Sequence, residues 1–160
     1  MKFVADTSAI ISLGCSNYFE NIKSEFDIIL TPLVIDELEE FGIYEDYLGE
    51  KASLILKEKF ITKKPKNLIA LKLGSAECEV FSLANEEKRI ALTDDIHAAR
   101  VVYEKLKLKT KPSFYLLILL FNKQEINKND LINDMRQILK NRNWISGSLW
   151  EYALDMIEQL

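Results

Sequence analysis

The sequence predicts an α/β fold built on a central parallel sheet covered on both faces. Three observations lead there. Short, wholly apolar segments such as Phe3-Val4-Ala5, Ile28-Ile29-Leu30 and Ile90-Ala91-Leu92 alternate with longer segments of helical periodicity. A length of 160 residues suits one domain with a substantial core. Hydrophobic residues make up 48% of the chain and charged residues 29%, with only 5 Gly and 3 Pro, the profile of a folded protein rather than a disordered or fibrous one.

The elements follow in order. Lys2 to Ala5 reads as a buried strand, and Ser8 to Ile22 as one helix with apolar positions at Ile10, Ile11, Leu13, Tyr18 and Phe19. Phe26 to Leu30 is a second strand. Thr31-Pro32 marks a helix start, because Thr can accept from free first-turn amides and Pro loses no useful donor at the first helical position. Gly42 ends that helix, and another runs from about Tyr44 to Lys59, followed by a loop at Lys63-Lys64-Pro65-Lys66. Ser75 to Glu87 is helical, Arg89 to Thr93 is a third strand, and Asp95 to Lys107 is helical again. Leu108 and its neighbours give a short fourth strand before Pro112. Helices at Ser113 to Phe121, Asn129 to Lys140 and Ser146 to Gln159 complete the chain, the last with Ser148 and Glu151 at capping-box spacing. The whole, 1–160, is expected to be one domain, with a core to about residue 125 and a helical extension from about 126.

Composition narrows the function. The longest apolar run, Phe114 to Phe121, is far too short to span a bilayer, and the N-terminus lacks the pattern of a signal peptide, so a cytoplasmic location without membrane contact is expected. Cys15 and Cys78 have no CxxC spacing and read as reduced core residues. Net charge is −4, which at first argues against a nucleic-acid partner, but it is unevenly spread. Asp36 to Glu50 carries seven acids and no base, Lys57 to Lys72 carries six lysines against one glutamate, and Arg100 to Lys111 has five basic residues against one acid. Either basic segment could follow a phosphate backbone beside an acidic site, or could equally be solvated lysines.

The acids carry the sharper signal. In open parallel sheets ligands bind beyond the carboxyl ends of the strands. Asp6 ends the first strand and Asp94, with Asp95, follows the third. Taken alone, each reads equally as a helix cap. Two glutamates strengthen the case. Glu37 shares a stripe with Val34, Leu38 and Phe41, and Glu77 shares one with Val80, Phe81 and Ala84, whereas Glu79 falls with Ser75, Ser82 and Glu86 on a polar face. A lone charge in an apolar stripe is costly. Brought together, Asp6, Glu37, Glu77 and Asp94 would repel, by about 4 kcal/mol for a pair 4 Å apart at an effective dielectric of 20. Such a cluster needs protons or hard cations that prefer oxygen ligands, Mg²⁺ or Mn²⁺. It suits metal-assisted phosphodiester hydrolysis, with Thr7, Ser8 and Thr93 binding metal water or phosphate, or else capping helices. His97 reads as a surface or supporting residue.

Four segments together resemble the PIN domain, the metal-dependent ribonuclease fold of VapC-type toxins and related nucleases. VADTSAIISL is similar to the family's opening strand, acid and helix. TPLVIDEL resembles its Pro-led helix with a glutamate, here Glu37, LGSAECEVFSLA its third motif, and LTDDIHAARVV its strand into Thr-Asp-Asp with a downstream Arg, here Arg100. The tail NWISGSLWEYAL resembles the C-terminal helices of one VapC-like subgroup. Ala76 stands where the third motif has glycine, and Lys109 to Ser113 replaces a Gly-containing turn.

The resemblance implies a three-layer α/β/α sandwich and an endoribonuclease leaving 3′-hydroxyl and 5′-phosphate ends. It implies Asp6, Glu37, Glu77 and Asp94 as catalytic metal ligands, with Asp95 as a possible fifth. Lys63, Lys64 and Lys66, or Lys107 to Lys111, and Arg100, are then expected to hold the RNA. Family members commonly dimerise and are restrained by an antitoxin, so both partners are expected. Trp144, Trp150 and Tyr152 read as an interface or as packing against the domain's own sheet. A catalytically inactive RNA- or protein-binding module is the alternative. A two-component receiver is disfavoured, since the strand Phe26 to Leu30 runs into Thr31 and not into a phosphoacceptor acid.

Overall fold

A computed structural model describes residues 1–142 and 147–158, apart from the Ile157 side chain. Trp144, and the expected helix limits Ser146 and Gln159, lie outside the described residues. Within them, five parallel strands form one sheet in the order β3-β2-β1-β4-β5: β1 (Lys2–Ala5), β2 (Asp27–Leu30), β3 (Ile61–Thr62), β4 (Ile90–Leu92) and β5 (Thr110–Lys111). The chain winds outward from β1 to β3, then returns to the other side of β1 to lay down β4 and β5. The strand order therefore reverses at the β1–β4 pair, where Ala5 lies opposite Leu92. Residues that follow these two strands meet at the switch point of the sheet.

The three central strands, β1, β2 and β4, are apolar where both faces are covered. Phe3, Val4, Ala5, Leu30, Ala91 and Leu92 are all fully buried. The helices are α1 (Thr7–Gly14), α2 (Phe19–Glu25), α3 (Pro32–Phe41), α4 (Tyr47–Lys57), α5 (Ser75–Glu87), α6 (Ile96–Leu106), α7 (Tyr115–Asn122), α8 (Lys128–Asn141) and α9 (Gly147–Glu158). α5 packs against β1 and β4 as well as against α3 and α6, so the helix bearing Glu77 spans the centre of the sheet.

The structure corrects the sequence reading in several places. The expected helix from Ser8 to Ile22 is two helices, broken at Cys15 to Tyr18. The break is held from outside. Asp134 of α8, 1% exposed, accepts hydrogen bonds from the Ser16 hydroxyl and, at 2.8 Å, from the Asn17 amide. Gln137 donates to the Cys15 carbonyl at 3.2 Å. Periodicity within residues 8–22 could not show a break whose partners lie more than 100 positions away. β3, in a stretch to which the sequence reading assigns no element, is a two-residue edge strand, and the Lys63 amide continues its pairing by donating to the Leu30 carbonyl at 3.0 Å.

Thr31 precedes Pro32 as expected, yet its side chain makes no capping bond. Ser148 is the second residue of α9 rather than a residue ahead of it. In the C-terminal region, Trp150 and Leu149 face Phe114, Met135, Ile138 and Leu139 around a small apolar gap, so Trp150 packs against the core from the C-terminal helices. The Tyr152 ring lies 6.4 Å from that of Phe114.

Candidate functional site

Asp6 leaves β1 with its amide donating to the Leu92 carbonyl at 3.0 Å, a bond that continues the β1–β4 ladder to the point where the chain turns into α1. Its side chain caps α1: Oδ1 accepts from the Ala9 amide and from the Ser8 hydroxyl, each at 2.7 Å. The Thr93 hydroxyl lies near this carboxylate and favours its charged form. Capping is thus part of what Asp6 does. Burial dominates its chemistry: desolvation, against the Thr93 hydroxyl and the bonds from Ser8 and Ala9 and with a contribution from Asp94, pushes its pKa up to about 7.

Asp94 follows β4 and is held on both oxygens. Ser12 of α1 donates to Oδ2 at 2.6 Å and the Ser113 amide donates to Oδ1 at 2.8 Å. Its own amide donates to Ser8 Oγ at 3.0 Å, so Ser8 bonds both strand-end acids. Desolvation raises the Asp94 pKa, while Ser12, Ser113 and the charge of Arg142 oppose the rise. Burial just beyond α8 lowers the Arg142 pKa to about 10, against the opposing charges of Asp94, Cys15 and Asp6. Nothing in the sequence pattern pointed to Ser12, Ser113 or Arg142, which reach the acids only through the fold.

The two glutamates approach from helices. Glu37, one turn inside α3, accepts a bond from the Thr7 hydroxyl. Glu77 occupies the first turn of α5, accepting from the Gly74 amide at 2.7 Å. Its carboxyl is raised by desolvation and by the charges of Asp95 and Glu37. Asp6, Thr7, Ser8, Glu37, Glu77, Asp94 and Asp95 all line one cavity of about 580 Å³, with Glu40, Phe41, Ala76, Ile96 and His97 completing its walls. Asp95 is exposed and caps α6 by accepting from the Ala98 amide at 3.0 Å. Thr93 is buried, near Asp6, and accepts from the Asp95 amide at 3.1 Å.

Glu79 does not lie on a solvated face. It is 2% exposed and Ser82 1%, because the chain before α5 and the start of α3 cover that side. Ile69 donates to Ser82 at 2.8 Å and Leu33 to Glu79 at 2.9 Å. The basic candidates stand apart from the cavity lining. Lys63 is paired with Glu87, the Lys66 amide donates to Glu86 at 2.9 Å, and Lys64 is exposed on the same loop. Arg100 is exposed on α6, one turn beyond His97.

By donor type the cavity fits a hard divalent cation: several carboxylates converge on it, and burial raises three of them as burial of uncompensated anions does. Among the described residues, however, no three His, Cys, Asp or Glu groups stand as a ready-made metal cage. The oxygens that would turn to a cation are held by Thr7, Ser8, Ser12 and Ser113.

A family profile described as the PIN domain matches residues 2–159. The chain belongs to the PIN-domain family. A solved structure of a PilT N-terminus domain protein from the hyperthermophilic archaeon Sulfolobus solfataricus is 19% identical, with a TM-score of 0.51 over 74% of this chain and 92% of that one. At that identity the likeness concerns the fold, a PIN-like α/β/α arrangement around a parallel sheet. A search of curated proteins gave no match. PIN domains are generally nucleases and usually use divalent metal ions. No helix among the described residues is long and apolar enough to cross a membrane.

Proposed function

We propose that this PIN domain is a metal-dependent endoribonuclease, with Asp6, Glu37, Glu77 and Asp94 as its acidic site. The observation that carries the proposal is the switch-point geometry: β1 and β4 deliver Asp6 and Asp94 to one cavity, and α3 and α5 bring Glu37 and Glu77 to the same space. Bound Mg²⁺ or Mn²⁺ would supply an acidified water and neutralise charge developing on the phosphate. The protein's part is to hold the cation with these four carboxylates, Asp95 being a fifth at the exposed rim. Ser8, joined to both Asp6 and Asp94, fixes their relative orientation. Thr7 steadies Glu37. Lys63, Lys64, Lys66 and Arg100 are proposed to hold the RNA backbone, with Arg100 the best placed. Products with 3′-hydroxyl and 5′-phosphate ends, a homodimer and a protein antitoxin belong to the same proposal.

Asp6→Asn tests the reading. The variant keeps an acceptor for Ser8 and Ala9 and should fold, and it should lose cleavage of single-stranded RNA in Mg²⁺ or Mn²⁺ by at least about a hundredfold. Undiminished cleavage would sink the assignment. The second reading, an RNA- or protein-binding module without turnover, is favoured by one observation, the internal hydroxyl and amide donors that already occupy the carboxylates. RNA binding by the unmodified protein with no cleavage in either metal would establish that module.

A further inference from the structure

α3 carries Glu37, and its beginning lacks a local cap. Thr31, fully buried, makes no side-chain bond to the first turn, and Pro32 has no amide hydrogen to offer. The next amide, Leu33, instead donates to Glu79 Oε2 of α5 at 2.9 Å. Glu79 is 2% exposed, so this bond gives a buried carboxylate a partner at the positive end of a helix dipole. Leu33 and Glu37 are four residues apart and share a face one turn from each other. Two residues before Glu79 on the same helix, Glu77 lines the same cavity as Glu37 and lies in the field of its charge. One hydrogen bond therefore joins the two helices that supply the two glutamates.

We propose that Glu79 is a positioning residue: by anchoring the first turn of α3 to α5 it sets Glu37 relative to Glu77 at the cavity. Glu79 itself does not line that cavity. The inference rests on the reading above only for what the site binds. The anchor needs an acceptor at this place and not a negative charge, which separates it from a metal ligand.

Three variants of the full chain decide it: Glu79→Gln, Glu79→Ala, and Leu33→Pro, which deletes the donor and leaves Glu79 in place. Mn²⁺ affinity is measured by calorimetry, and folding by urea unfolding. Glu79→Gln should bind Mn²⁺ within about twofold of the unmodified protein, whereas Glu79→Ala and Leu33→Pro should each unfold cooperatively and bind about tenfold more weakly, the scale of lost outer support for metal ligands. Unchanged affinity in folded Glu79→Ala and Leu33→Pro would overturn the proposal. So would a Glu79→Gln protein as weak as Glu79→Ala, because the charge would then be the active ingredient.

A stability cycle keeps the two readings apart. Thr7→Val removes the hydroxyl that bonds Glu37, and its effect on the unfolding constant should shrink at least about threefold in the Glu79→Ala background if α3 has lost its placement. Should the unmodified protein bind no Mn²⁺, the metal reading fails by itself and this cycle alone decides the anchor. Additive effects would refute it.

Discussion

Ser12, on the first helix, donates its hydroxyl to Asp94 at 2.6 Å across 82 positions of sequence. The bond ties the helix that follows β1 to the acid that follows β4, so the two halves of the sheet are locked at the place where the candidate site opens. A fully buried serine bonded to a carboxylate also leaves that carboxylate exposed to a clear penalty if the donor is removed.

Ser12→Ala should therefore cost about 1–3 kcal/mol of stability in metal-free protein. The cost should be smaller in saturating Mn²⁺, where a cation can satisfy the released oxygen. Urea unfolding in chelator and in Mn²⁺ measures both values, and equal losses would show that Asp94 does not turn to the metal.

Burial holds Asp6 at about 7, against an ordinary 3.8. Between those values the folded protein keeps a proton that the unfolded chain has released, so stability falls as pH rises from about 4 to about 7 and flattens above. Asp94 and Glu77, also raised by burial, act in the same direction. Metal-free protein should be less stable at pH 8 than at pH 5, by on the order of a few kcal/mol, and Asp6→Asn should remove part of that slope. Added Mg²⁺ or Mn²⁺ should stabilise more at pH 8, because at pH 5 it must displace protons. Thermal melts at the two pH values, with and without chelator, check the sign. A metal-free protein that gains stability over this interval would contradict it.

Asp134 should matter to the folding of a segment more than 100 positions before it. Asp134→Ala strands the Ser16 hydroxyl and the Asn17 amide and should destabilise by about 2–4 kcal/mol. Amide hydrogen exchange should then show faster opening of residues 15–18 than of β1, and exchange unchanged at these residues would argue against the clamp.

The basic residues separate into two groups. Lys63 already has a carboxylate partner in Glu87, whereas Arg100 is exposed on the helix whose first turn borders the cavity. Arg100→Ala should weaken RNA binding by about three- to tenfold and lower its salt dependence, and Lys63→Ala, whose ammonium is shared with Glu87, should weaken it by only about twofold. Filter binding at two salt concentrations distinguishes the pair. The reverse ranking would move the RNA path to the other end of α5.

Much of the architecture was legible because burial leaves a direct mark on sequence. Strands covered on both faces must be apolar throughout, and acids directly after Ala5 and Thr93 stand out against them. Glu37 and Glu77 could be placed on the cavity side because each interrupts an apolar helical stripe. Glu79 could not be read correctly, since a helix face lined by Ser82 and Glu86 looks solvated until the segment before it folds across. The break after Cys15, and the roles of Ser12 and Ser113, depend on contacts between distant parts of the chain. Local periodicity carries no trace of such partners.

The pairing of β1 with β4 also gives the site a place in time during synthesis. Asp6 is made before the acid that faces it across the sheet switch point, which comes only after Leu92, with the Ser113 amide later still. The clamp from Asp134 arrives later than either. A nascent or prematurely ended chain that stops before β4 thus carries the first acid without the cavity. The chemistry proposed for the finished protein is withheld by chain order from its incomplete copies.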